Sequence, residues 1–183
     1  MSYCDFANAL PEGSSDPNKH YHEREYGFPI HSDNELFKRL VLEINQAGLN
    51  WTLVLNKRAA FDAAYAGFDI AAVAAFGEAD RARLLADAGI VRNRLKINAA
   101  IYNANQILAL QREYGSFGRW LDAHHPRSLT DWVKLFRRHF KFVGGEIVSE
   151  FLMSTGYLKG AHDESCPVYA QVLQQNPKWA EAV

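Results

Sequence analysis

One carboxylate stands where an apolar residue is expected. Glu43 falls three residues after Leu40, seven after Leu36 and four before Ala47, on the edge of a helical stripe of Leu36, Phe37, Leu40, Val41, Ile44 and Ala47. A carboxylate there is costly to desolvate unless a cation or a hydrogen-bond donor meets it. Gly48 is positioned to close that helix, and Leu49-Asn50-Trp51 project from the turn it makes. Two readings compete: Glu43 reaches solvent or pairs with an arginine while Trp51 is core, or acid and indole together face a ligand.

Two further groupings carry chemistry. His162-x-x-x-Cys166 has a spacing that lets two ligands meet one metal. Cys4 and His22 could supply the other pair, giving a closed Cys2His2 site with no open position for a substrate, although seven histidines offer other choices. Leu84 to Lys96 reads as helix, tight glycine turn, helix. Gly89 lets backbone approach a phosphate oxygen, the free amides of the next helix point the same way, and Arg92, Arg94 and Lys96 add charge. From Arg81 to Asn98, five basic residues oppose one acid, Asp87. This is the pattern of a helix-hairpin-helix, which grips DNA backbone without reading sequence. A Leu-x-x-x-Gly-Ile junction also joins ordinary helices, and Val91 stands where many such hairpins place a second glycine.

These groups need a scaffold, and the sequence predicts an all-α one. Ser32-Asp33-Asn34-Glu35 has capping-box spacing, so a helix starts near Asp33. Further helices are predicted over 52–65, 70–75 (capped by Asp69), 80–88, 94–112, 116–121, 129–140 and 146–153. No alternating strand pattern of useful length occurs. Residues 1–31 read as irregular, the segment after Gly156 as a polar loop, and Pro177 to Val183 as dispensable.

At 183 residues, 48% apolar and 13% aromatic, the chain suits one domain or two small lobes. Its net charge of −1 means that any affinity for nucleic acid must come from a local patch. The N-terminus lacks the basic start and apolar run of a signal peptide, and the longest apolar run, Ile70 to Phe76, is too short to span a bilayer. The expectation is a cytoplasmic protein without a membrane partner, in which Cys4 and Cys166 are incidental thiols or metal ligands.

Several blocks occur in order: Cys4, Tyr21-His22-Glu23-x-Glu25-Tyr26-Gly27, Leu42-Glu43-x-x-Gln46-Ala47-Gly48-Leu49-x-Trp51, Ala88-Gly89-Ile90-x-Arg92, Phe140-Lys141-Phe142-Val143-Gly144 and His162-x-x-x-Cys166. In these the chain resembles the constitutive 3-methyladenine DNA glycosylase I family of the helix-hairpin-helix superfamily, from Cys4 to about Tyr169. The resemblance implies a single glycosylase unit over 1–183. Its helical core covers about 30–155 with the hairpin near 84–96, and a zinc-binding region joins 1–29 to 156–183. It implies Cys4, His22, His162 and Cys166 as ligands of a structural zinc. It also implies Glu43 as the catalytic carboxylate, with Tyr21, Trp51, Phe6 and Tyr26 around a flipped base. Leu49 becomes a candidate wedge, and Gly89, Arg92, Arg94 and Lys96 the contacts to DNA. The expected activity is hydrolysis of the N-glycosidic bond of 3-methyladenine by a monomer acting on double-stranded DNA with alkylated bases.

The chain departs from the family pattern at Phe6 and Tyr26, where relatives often have tryptophan, in Asn18-Lys19-His20, which lack an aromatic that some relatives use, and at Ile44, where a small residue usually adjoins the acid. These departures keep open a non-catalytic helix-hairpin-helix DNA-binding protein with a structural zinc. Asp122 and Asp131 are available to assist water but sit in no matching motif.

Overall fold

Twelve α-helices and two short 3-10 turns make up the computed structural model, which describes residues 2–181; among these no strand occurs. In chain order they are α1 (Tyr3–Asn8), α2 (Pro17–Arg24), α3 (Asp33–Gln46), α4 (Trp51–Asn56), α5 (Arg58–Ala64), α6 (Ile70–Ala74), α7 (Glu78–Ala86), α8 (Arg94–Tyr114), α9 (Phe117–His124), α10 (Leu129–His139), α11 (Gly145–Ser154) and α12 (Pro167–Gln174). None of the described helices is long and apolar enough to cross a membrane.

The core gathers around α3. Ser32 Oγ accepts from the Glu35 amide at 3.3 Å and starts the helix. Leu36, Phe37, Leu40, Val41 and Ile44 are then all buried. Asp33 joins this helix to α9, accepting from the Phe117 and Gly118 amides at 2.8 and 3.1 Å and from Gln111 Nε2 at 2.7 Å. One carboxylate thus satisfies two amides that a helix start leaves unpaired. Across the core, α8 begins under an Asn93 cap and stops at Gly115, whose φ of +89° suits glycine. Phe117, Trp120, Trp132, Phe136 and Phe151 fill the space between α9, α10 and α11.

Four predicted segments differ from the structure. The helix expected over 52–65 is two, because at Lys57 the backbone leaves helical geometry (φ −94°, ψ 2°) and α5 starts after it. Lys57 Nζ then donates to the Ala88 and Gly89 carbonyls at 3.1 and 3.2 Å, fixing the hairpin turn to this corner. The N-terminal region is not irregular. A Ser2–Asp5 capping box starts α1, and Asp16 caps α2 with Pro17 in its first turn. The segment after Gly156 contains α12, which also begins with a proline. Finally, the stretch from Pro177 is tied down as far as Glu181. The Trp179 amide donates to the Gly156 carbonyl at 3.2 Å and its ring lies 5.9 Å from that of Tyr169. Ala182 and Val183 lie outside the described residues.

Candidate active site and metal centre

A cavity of about 870 Å³ opens between α2, the α3–α4 turn and the start of α11. Tyr3, Tyr21, Tyr26 and Trp51 make its aromatic wall, and Glu43, Glu146 and Glu150 are its acids. Among the described residues no lysine or arginine lines it. Helix periodicity brings Glu43 here: the apolar stripe of α3 faces the core, and the edge of that stripe meets the cavity.

Glu43 is 4% exposed, and no hydrogen bond to its carboxyl occurs among the described residues. Burial pushes its pKa up from 4.5 to about 8, the Arg39 guanidinium opposes that rise, and Glu150 adds to it. That shift favours the protonated form of Glu43 at neutral pH.

Arg39, one turn earlier on α3, is committed elsewhere. It donates to the Tyr21 hydroxyl at 3.1 Å and the Ser154 carbonyl at 3.3 Å, and lies 3.5 Å from Glu25. Glu25 is also held by Arg58 through two bonds of 2.7 Å. Burial raises the Glu25 pKa, but the Arg58 and Arg39 charges outweigh it and the net shift is downward. This chain of charges fixes Tyr21 against Trp51, with ring centroids 5.0 Å apart. The Tyr26 hydroxyl donates to Glu150 Oε2 at 3.1 Å.

Sequence reasoning placed Glu43, Tyr21, Trp51 and Tyr26 together, and they share this cavity. Phe6 does not line it; its ring stacks on Tyr3 at 6.3 Å, and Tyr3 takes the inner position. Ile44 faces the core rather than the cavity, because one residue along a helix is a turn of about 100°. Tyr3, Arg39 and Glu150 were missed: each lies outside the block that surrounds Glu43, and no local pattern marks them. Neither Asp122 nor Asp131 reaches the cavity. Asp122 accepts from the Tyr157 hydroxyl at 2.7 Å, and Asp131 is the exposed partner of Ser128 at the start of α10.

A second cluster lies behind Tyr26. The donor atoms of Cys4, His22, His162 and Cys166 all fall within 4.8 Å of one another and all four residues are buried. Cys4 Sγ is 3.6 Å from His162 Nδ1, and Cys166 Sγ is 3.6 Å from His22 Nε2. Tetrahedral bonds of about 2.3 Å to sulfur and 2.0 Å to nitrogen put neighbouring S and N donors about 3.6 Å apart. His162 Nε2 donates to the Tyr26 carbonyl at 2.7 Å, which leaves Nδ1 free to face a metal. The donor set and its spacing fit zinc.

The hairpin between α7 and α8 carries less free charge than its sequence suggests. Arg81 bonds Glu78 and Asn98, and Arg83 bonds Asp80 and the Ala64 carbonyl. The expectation that Lys96 contacts DNA is corrected: it is 5% exposed, and its Nζ donates to the carbonyls of Asn45 and Ala47 at 2.9 and 2.6 Å. It caps the C-terminus of α3, where free carbonyls favour a cation. Arg92 and Arg94 are exposed and have no side-chain partner among the described residues. Gly89 serves packing, since a Cβ there would lie 2.9 Å from that of Ala60, and its amide already donates to Asp87 at 2.8 Å. Leu49 is exposed at the tip of the α3–α4 turn, so it is not a core leucine.

Comparison with known proteins bears on this arrangement. The methyladenine glycosylase family model matches residues 12–132. The DNA-3-methyladenine glycosylase 1 of Escherichia coli (strain K12) is 35% identical, across 81% of this chain and 89% of that protein. The solved structure of 3-methyladenine DNA glycosylase I from Staphylococcus aureus is similar with a TM-score of 0.79 at 30% identity, covering 92% of this chain and 96% of that one. A variant 3-methyladenine DNA glycosylase I solved in complex with 3-methyladenine gives 0.79 at 29%, covering 92% and 97%.

Proposed function

Because the chain belongs to the methyladenine glycosylase family, we propose that it is a base-excision repair enzyme that hydrolyses the N-glycosidic bond of 3-methyladenine in alkylated duplex DNA. The observation that carries this reading is Glu43, a buried acid without a partner in an aromatic cavity that no basic side chain lines.

A base stacked in a duplex must be extruded before its glycosidic bond can be reached, at a cost of a few kcal/mol. Stacking on an aromatic side chain returns roughly 1–3 kcal/mol per base, so Trp51 offsets much of that cost. The methylated adenine is cationic while still attached to the sugar, and its charge adds an attraction to the indole and phenol faces that ordinary adenine does not have. Its arrival also makes ionisation of Glu43 favourable, and the resulting carboxylate accepts a hydrogen bond from the base edge. Tyr21, held by Arg39, contributes a fixed hydroxyl. A cationic base is already a good leaving group: the glycosidic electron pair returns to the base, which departs neutral, and water adds to the sugar carbon and gives its proton to solvent, so the pocket's main task is to select and hold the charged lesion in place. The absence of lysine among the lining residues supports a monofunctional hydrolase over one that forms an imine with the sugar.

DNA lies across the hairpin, with Arg92 and Arg94 on phosphates and Leu49 at the gap left by the extruded base. The Lys96 cap joins the two, since it ties the turn that carries Leu49 to the helix that carries Arg94. Cys4, His22, His162 and Cys166 would hold a zinc ion. That ion would bind the terminal segments to each other and, through His162, support the Tyr26 backbone. With four protein donors the ion has a structural role and no place for substrate.

The test is mass-spectrometric detection of free bases released from methylated duplex DNA. The expected result is release of 3-methyladenine, falling about 100-fold in kcat/KM, or roughly 2.7 kcal/mol, on Glu43→Gln. Folded, metal-loaded protein that binds the DNA but releases no base would instead support a DNA-binding module without catalysis.

A further inference from the structure

The acids of the cavity are not equivalent. Glu43 is buried and its carboxyl has no hydrogen-bond partner among the described residues, while Glu150, half-buried on α11, has one oxygen bound by the Tyr26 hydroxyl at 3.1 Å. The other oxygen, Oε1, has no hydrogen-bond partner among the described residues. Tyr3 and Tyr21 both pack against Tyr26, with centroids 5.5 Å away in each case, so the hydroxyl that holds Glu150 sits on a fixed ring. We infer that Glu150 is a second base-reading carboxylate, which with Glu43 offers two acceptors to one cationic purine and sets the preference for charged over neutral bases. This rests on the proposed role of the cavity as the base pocket.

The negative charge of the cavity is uncompensated. Arg39, the cation nearest Glu43 on α3, is engaged by Tyr21, Ser154 and Glu25. Glu146 adds a further acid at the exposed rim. Burial raises the Glu150 pKa and the Tyr26 hydroxyl opposes that rise, so the hydroxyl favours the ionised form. A cationic base supplies the missing positive charge, and hydrogen bonds between ionised partners are about twice as strong as neutral ones. A neutral purine of the same shape supplies none.

Binding of two small bases separates this from a packing role. 3,9-Dimethyladeninium carries a fixed charge and the exocyclic amine; 9-methyladenine carries the amine alone. Glu150→Gln keeps an oxygen for Tyr26 and removes the charge. It is expected to weaken binding of the cation about tenfold and to leave 9-methyladenine within about twofold. Tyr26→Phe, which leaves Glu150 in place without its donor, is expected to weaken the cation about threefold in the same direction. If both variants retain the parental preference for the cation, or lose both ligands equally, the inference is overturned. Parental protein that binds neither compound would overturn the base-pocket reading itself, and this inference with it.

Discussion

In the cavity, Glu43 and one oxygen of Glu150 meet no donor, whereas around the hairpin most of the charge is already spoken for. Of the five basic residues between Arg81 and Lys96, Arg81 and Arg83 are paired with acids and Lys96 is buried against carbonyls, leaving Arg92 and Arg94. Both regions draw notice in sequence by their charge, one as a lone acid on an apolar helix and the other as a basic cluster around a glycine turn. They differ in what the fold leaves over. Charge read from sequence is an upper limit on charge available to a ligand, and groups held without partners mark where a ligand is expected. The hairpin keeps two such groups on its surface; the cavity keeps Glu43 buried and Glu150 half-buried, where a carboxylate without a partner is costly.

The largest effect should come from the centre whose donors would all be committed to one ion. Structural zinc contributes on the order of 10 kcal/mol in small modules. A strong chelator or Cys166→Ser is therefore expected to unfold α1, α2 and α12, seen as loss of amide protection there, with one zinc per chain by elemental analysis of the parental protein. Retained protection without metal would remove the zinc from the account.

Next is Lys96. Lys96→Met leaves the carbonyls of Asn45 and Ala47 without their donor and is expected to cost about 1–3 kcal/mol in denaturant unfolding. The dependence of DNA affinity on salt should keep its slope. A shallower slope with unchanged stability would restore Lys96 to the DNA surface and blur the contrast between the two regions.

Glu43→Gln sharpens the same contrast through stability. The folded protein keeps the Glu43 proton between the usual 4.5 and about 8, where the unfolded chain has lost it. Stability therefore falls as pH rises through that window. The glutamine variant should match the parent near pH 4 and exceed it by roughly 1–3 kcal/mol at pH 9, or about 2–4 °C in Tm per kcal/mol. Parallel pH profiles for the two proteins would show that Glu43 ionises freely.

The smallest effect on stability is expected at Arg92 and Arg94. Replacing both with alanine should leave Tm almost unchanged and make the log–log salt slope shallower by about 2, since each phosphate contact contributes about 0.9. An unchanged slope would move the DNA contact elsewhere.

Much of this was legible in the sequence where local chemistry and periodicity agree. The Ser32 cap, the stripe of α3 and the place of Glu43 on its edge follow from spacing alone. Short elements were not legible. At six residues α1 offers less than two turns of pattern, and α12, at eight residues, barely exceeds two. The cap signals Asp16-Pro17 and Cys166-Pro167 were present but overshadowed by the polar residues around them. Lys96 was misread because burial depends on the distant end of α3, which spacing within the hairpin does not report. Glu150 and Tyr3 were missed for the same reason: they join the cavity only through the packing of α11 and α1. Gly89 was recognised as a tight position, and the fold places Ala60 against it, a packing constraint that spacing within the hairpin does not report.

The central claim is that Glu43 stays protonated in the empty cavity and ionises when a cationic base arrives. Calorimetric titration with 3,9-dimethyladeninium, in buffers of differing ionisation enthalpy, counts the protons released on binding. Because the ligand charge is fixed, any proton comes from the protein. The account predicts close to one proton released per base at pH 7, falling toward zero above pH 9, and markedly less release at pH 7 for Glu43→Gln. Tight binding by the parental protein with no proton release at pH 7 would contradict it.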